Sequence, residues 1–208
     1  RVRRQRQMCI RDSLAGVNPY ASDYTLAKGE SFTTPEMVYT YSFEGAGGAS
    51  RNLHDWARNY GVWHGHTYAP TLLNSWEGAY FTFDAKTLTD MIDDAADMGL
   101  EMFVLDDGWF GARDNDAKGL GDYTVNRKKL PGGIEGLAQK ITTMGLRFGL
   151  WFEPESVNLE SELYRTHPEW ALQQPGRQPS MGRHQLLLDL TRPEVRDYIV
   201  HHITHLLD

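Results

Sequence analysis

Two short stretches, Met98-Gly99-Leu100 and Met144-Gly145-Leu146, end an amphipathic run and open an apolar one in the same way. Before the first, Leu88, Met91, Ile92 and Ala95 recur at helical spacing behind Asp84, a residue suited to cap a helix start. Before the second, Ile134, Leu137, Ile141 and Met144 do the same. In both cases Gly stands where a left-handed C-terminal cap belongs. Strands are predicted next, over Met102 to Leu105 and Leu146 to Phe152. Leu72-Leu73-Asn74 reads as an earlier strand and Gln185 to Leu190 as a fourth, with Pro193 opening a last helix through Val195, Tyr198, Ile199, Ile203 and Leu206. Strands alternating with helices argue for a parallel sheet. No glycine-rich phosphate loop follows the first strand, so half of an eight-stranded barrel fits better than half of a doubly wound sheet.

The strand ends carry the chemistry. Asn74-Ser75-Trp76-Glu77, Leu105-Asp106-Asp107-Gly108-Trp109-Phe110 and Trp151-Phe152-Glu153-Pro154-Glu155 each close an apolar strand with Trp and carboxylate. In parallel β/α folds such ends converge on one face, where active sites are built. Trp76 and Trp151 offer flat apolar plates for a sugar ring, and carboxylates accept bonds from its hydroxyls. Strand alternation turns Asp106 and Asp107 to opposite sides, one toward the mouth and one toward the loop; an ordinary Asp-Asp-Gly turn is the plainer alternative. Arg183, before the fourth strand, is either a charged donor in the same mouth or a solvated cation. Glu153 and Glu155 suit ligand contacts and loop salt bridges equally. Trp56, Trp63 and Trp170 read as core or interface.

The region before Pro70 is different. Tyr24 to Leu26, Ser31 to Thr34 and Met37 to Phe43 look like short strands ended by the cluster Gly45, Gly47 and Gly48, and Ser50 to Tyr60 has helical spacing. The expected organisation is therefore the end of a β-domain with a linker helix over 14–68, and the barrel half over 69–208. Residues 3–13 resemble the translation of a sequencing adapter, so 1–13 is set aside as non-native. Without its five Arg and one Asp, the 21 basic and 28 acidic residues become 16 and 27, a net charge of −11. That excess argues against nucleic acid as a partner. The only Cys, Cys9, lies in the set-aside segment, and of the eight His only His201 and His205 stand at a ligand-like i, i+4 spacing, without the acidic helper of a His-Glu-x-x-His site, so neither metal nor cofactor is expected. No apolar run approaches the roughly 20 residues of a membrane span, and the reading for compartment is cytoplasmic.

Together with His167-Pro168-Glu169-Trp170 and Gly182-Arg183 before Leu186-Leu187-Leu188-Asp189, these strand-end motifs make the chain resemble bacterial α-galactosidases of glycoside hydrolase family 36 from about Tyr24 to Asp208. The resemblance implies an N-terminal β-sandwich, a (β/α)₈ TIM barrel, a C-terminal β-domain and a homotetramer. It also implies release of terminal α-galactosyl units from melibiose- and raffinose-type oligosaccharides with retention of configuration, which needs two carboxyl groups about 5 to 5.5 Å apart. Trp76 and Trp151 become walls of the sugar site, Asp106 and Asp107 hydroxyl acceptors, and Arg183 a donor. The family's nucleophile closes a Lys-Trp-Asp motif, and no such tripeptide occurs in this sequence. No catalytic residue is therefore assigned within it, and nucleophile and acid/base are expected beyond residue 208. Raffinose-synthase-like transglycosylases, α-N-acetylgalactosaminidases and a non-catalytic sugar-binding relative share these motifs and remain as alternatives.

Overall fold

The computed structural model describes residues 16–18, 20, 24–174 and 176–207. The segment read as adapter, 3–13, lies outside them. The chain divides into two compact units, 1–68 and 69–208.

In the first unit the three expected strands are absent from the described residues. The stretch from 24 to 42 has no regular structure beyond a turn at Lys28-Gly29. A strand needs a neighbour for its N–H and C=O groups, and none of these segments finds one there. Their aromatic side chains are correspondingly unburied: Tyr39 and Tyr41 are exposed, and Phe43 is 94% exposed. Regular structure begins at helix α1, Gly45–Trp56, which continues as a π-helical turn over Ala57–Gly61. The glycine cluster thus opens the helix and does not merely end what precedes it. Gly48 is needed there, because a Cβ would fall 2.1 Å from Ser42 Oγ.

The second unit is built on three parallel strands, β1 Leu72–Asn74, β2 Met102–Leu105 and β3 Arg147–Leu150, in the order β1-β2-β3. Register pairs Asn74 with Val104 and Leu105 with Leu150. After β1 comes the short helix α2, Trp76–Ala79, and then α3, Ala85–Asp97; α4, Gly133–Thr143, precedes β3. Asp84 caps α3 as read from the sequence, its Oδ1 accepting from Thr87 N at 2.8 Å. Burial sorts the sheet by alternation. Phe103 and Leu105 are fully buried against Leu88, Ile92, Ala95 and Ile141, so one face packs on the helices. Leu72, Asn74, Met102, Val104 and Gly149 share the opposite, more open face by register.

Gly99 and Gly145 take φ of +73° and +83°, the left-handed caps expected. A Cβ at either position meets nothing within 4 Å. Substitution by Ala should then cost only the backbone penalty, about 1 kcal/mol at each site. Denaturant midpoints of Gly99→Ala, Gly145→Ala and the double variant should show additive losses; a double variant as stable as either single would refute the matched-cap reading.

The expected fourth parallel strand is corrected. Gln185–Leu187, β5, pairs antiparallel with β4, Ser156–Asn158, in a separate two-stranded sheet. The expectation took an apolar run for a strand buried on both faces, as parallel strands usually are. Leu186, Leu187 and Leu188 are instead 1%, 55% and 5% exposed, the alternation of a strand with one face on a core and one on solvent. That second core joins Val157, Leu163, Trp170, Leu186, Leu188 and Val195. It is completed by α5, Glu162–Thr166, a 3₁₀ turn at Pro168–Trp170, and α6, Pro193–Leu207. Among the described residues no helix is long and apolar enough to cross a membrane.

Candidate active site at the strand ends

The ladder runs on past the strands. Ser75 N donates to Val104 O at 3.0 Å and Trp151 N to Leu105 O at 2.9 Å, so the residues that close β1, β2 and β3 stand side by side. Asp106 lies at their centre. Its Oδ2 accepts from Asn74 Nδ2 at 2.6 Å and its Oδ1 from Asp107 N at 2.8 Å, while Ser75 Oγ accepts from Asp106 N at 3.0 Å. Asn74 Oδ1 in turn accepts from Trp76 N at 2.7 Å, tying the indole-bearing residue to the same knot. A carboxylate has about four acceptor positions. Asp106 is therefore held in one orientation by two donors with acceptor capacity left for hydroxyl groups.

Trp76 and Trp151 are both half-buried and fixed by other rings. Trp76 meets Tyr80 and Phe81 edge-on, with centroids 5.2 and 5.0 Å away. Trp151 lies parallel to Phe110 at 6.4 Å, and its carbonyl accepts from Trp109 Nε1 at 3.0 Å. Trp109 and Phe110 are themselves fully buried, so they brace the site from behind. Beside them the Tyr123 phenol, its pKa raised above the ordinary tyrosine value by burial, donates to Glu153 O at 2.6 Å. Among the described residues neither Glu153 nor Glu155 forms an ion pair.

Asp107 turns away from the opening. It belongs to the helix-facing side of the sheet, is 3% exposed, and has both oxygens engaged by Arg113, with Nε at 2.9 and 3.1 Å and Nη2 at 2.7 Å. As the alternation read from the sequence has it, Asp106 stays at the opening and Asp107 turns inward, where a buried carboxylate requires a partner. Arg183 is exposed and makes no ion pair among the described residues. It sits in a tight turn between Gly182 and Gln185, and no hydrogen bond joins its side chain to Trp76, Asp106 or Trp151 among the described residues.

Three supporting residues escaped sequence reasoning. Arg113 is fully buried yet lies in a loop, Gly111 to Asp116, that reads as solvated charge. Lys129 donates Nζ to Phe81 O, Gly108 O and Arg113 O at 2.9 to 3.1 Å and lies 4.9 Å from the centre of the Phe83 ring, clamping the loops after β1 and β2 together. Asn158 is fully buried and bonds four groups from distant segments. The one available signal was indirect: an Asp on the inner face of a strand implies a cation somewhere.

Residues 31–208 match the family described as Melibiase. Alpha-galactosidase AgaA of Geobacillus stearothermophilus is 47% identical over 195 residues, covering 92% of this chain and 27% of its own length. The bifunctional alpha-galactosidase/sucrose kinase AgaSK of Mediterraneibacter gnavus is 44% identical, over 94% of this chain and 21% of its own. Among solved structures, the alpha-galactosidase AgaB of G. stearothermophilus superposes with a TM-score of 0.87 at 46% identity, over 92% of this chain and 27% of that one. A variant of AgaA in complex with stachyose gives 0.88 with the same identity and coverage. The chain spans about a quarter of the length of these relatives.

Proposed function

Because this chain belongs to the Melibiase family, we propose that the full-length protein carrying it is an α-galactosidase that releases terminal α-galactosyl units from raffinose- and melibiose-type oligosaccharides with retention of configuration. In this reading 69–208 supplies the first half of a (β/α)₈ barrel, 14–68 the end of a preceding β-domain and its linker, and the whole is a cytoplasmic homotetramer. The observation that carries the sugar-site assignment is the fixed carboxylate of Asp106, knotted to Asn74 and flanked by Trp76 and Trp151 on the neighbouring strand ends. Retention requires a nucleophile and an acid/base; both are assigned to the part of the protein outside this chain. Within it, Trp76 and Trp151 take the apolar faces of the galactosyl ring, Asp106 accepts from its hydroxyls, and Arg183 donates from the rim. Asp107 contributes by anchoring the loop through Arg113. Supporting this reading, a variant of AgaA has been crystallised with raffinose at 45% identity to this chain, with a TM-score of 0.86.

The test is a product analysis. The full-length protein, given raffinose, should yield galactose and sucrose, and the galactose should emerge first as the α-anomer by NMR. Transfer of galactose to a second sugar as the main product would make it a transglycosylase, and neither product would leave a binding protein. The 208 residues alone should show no turnover, since β3 has a strand neighbour on one side only and an exposed edge of that kind favours aggregation.

A further inference from the structure

One fully bonded side chain in the second unit belongs to neither hydrophobic core. Asn158 closes β4, is fully buried, and uses its whole carboxamide. Oδ1 accepts from Arg113 Nη1 at 2.8 Å and Leu120 N at 3.0 Å. Nδ2 donates to Asp116 O at 3.1 Å and His184 O at 2.9 Å. Chemistry permits only this orientation of the amide, because two of the four partners are donors and two are carbonyls. Asn158 therefore links the Asp107–Arg113 pair behind Asp106 to the backbone of the turn that carries Arg183.

That turn is costly to hold. Gly182 and Gln185 exchange hydrogen bonds at 2.9 and 3.2 Å, which leaves Arg183 and His184 as its two central residues, with φ of +50° and +63°. Positive φ at both centres is the geometry that selects Asn-Gly in ordinary hairpins. Arg and His adopt it only where the surroundings impose it, and such strain gathers at functional positions. The bond from Asn158 to His184 O is one such imposed contact. The guanidinium of Arg183 is meanwhile exposed and free of ion pairs among the described residues.

We propose that Asn158 is a positioning residue for sugar binding: its carboxamide ties the strained Arg183–His184 turn to the Asp107–Arg113 pair, and so sets where Arg183 meets the sugar. The proposal rests on the reading of Arg183 as a sugar donor. Asn158→Asp separates the two halves of the amide, keeping an acceptor for Arg113 and Leu120 N while setting an oxygen against the Asp116 and His184 carbonyls. With p-nitrophenyl α-D-galactopyranoside and the full-length protein, Arg183→Ala should raise KM roughly 10- to 100-fold, the range of a lost charged hydrogen bond. Asn158→Asp should raise KM roughly tenfold with kcat within about twofold, and the double variant should be no more than about twofold worse than the larger single effect.

A KM unchanged by Asn158→Asp, or effects that multiply in the double variant, overturns the positioning role while leaving Arg183 as a donor. A KM unchanged by Arg183→Ala overturns both. If Asn158→Asp does not fold, the exposed pair is exchanged, Arg183→His with His184→Arg, which touches nothing buried. A held turn gives this variant the KM of Arg183→Ala, and a KM near that of the unsubstituted protein sinks the proposal. Turnover of the unsubstituted protein tests the enzyme reading separately, and if turnover is absent the same comparisons are made on the galactose Kd.

Discussion

Arg113→Met in the full-length protein should lower its unfolding free energy by about 3 to 5 kcal/mol, the usual cost of stranding one member of a buried ion pair. The guanidinium is completely enclosed and donates to both oxygens of Asp107, to Lys118 O and to Asn158 Oδ1. Removing it leaves the Asp107 charge without a partner in a place water does not reach. Asp107→Leu alone should be similarly damaging, by exposing the opposite charge to the same fate. The double variant Asp107→Leu/Arg113→Met should regain much of the loss, because replacing both partners by apolar groups of similar size is often near neutral. Lys118 O would still lose a donor, so full recovery is not expected. Denaturant unfolding followed by tryptophan fluorescence checks this, with Trp109 buried beside the pair's loop as a reporter. Single-variant losses under about 1 kcal/mol would mean that the pair behaves as a solvated one.

The second large effect belongs to binding chemistry. Asp106→Asn should reduce kcat/KM toward raffinose by about 2 kcal/mol or more of transition-state stabilisation, roughly 30-fold. The substitution keeps size and shape and removes the charge that strengthens bonds from sugar hydroxyls. It also forces a choice on the neighbouring amide, since Asn74 Nδ2 now donates to one face of a group that carries both a donor and an acceptor. Stability should change little, because Asp106 is only half-buried. The two predictions therefore separate neighbouring carboxylates by readout: Arg113→Met or Asp107→Leu appears in the unfolding midpoint, and Asp106→Asn in the specificity constant. Unchanged kinetics for Asp106→Asn would remove it from the sugar site.

Much of the β/α framework was legible in the chain. Asp84 before a helical repeat, Gly99 and Gly145 after one, and strands within the apolar runs from Leu72, Met102 and Leu146 all took the predicted places. The segments from Tyr24 to Phe43 did not, because their β-like composition states a preference for a pleated, half-buried surface and no such surface is present among the described residues. The run Gln185 to Leu190 was recognisable as a strand, yet its direction and partner depended on β4 and on Trp170, whose core it covers.

Local signals are written over a few neighbouring residues: periodicity, a capping carboxylate, a glycine able to take positive φ. They determined by themselves that this chain alternates helix and strand, and that Trp76, Asp106 and Trp151 end neighbouring elements of one kind. Which carboxylate of the Asp106-Asp107 pair faces the opening was decided by the tertiary structure, because it depends on which side of the sheet the helices cover. The same holds for Arg113, Lys129 and Asn158. Their polar atoms are satisfied by partners up to 48 residues away in sequence, and a contact of that range leaves no periodic trace in the chain.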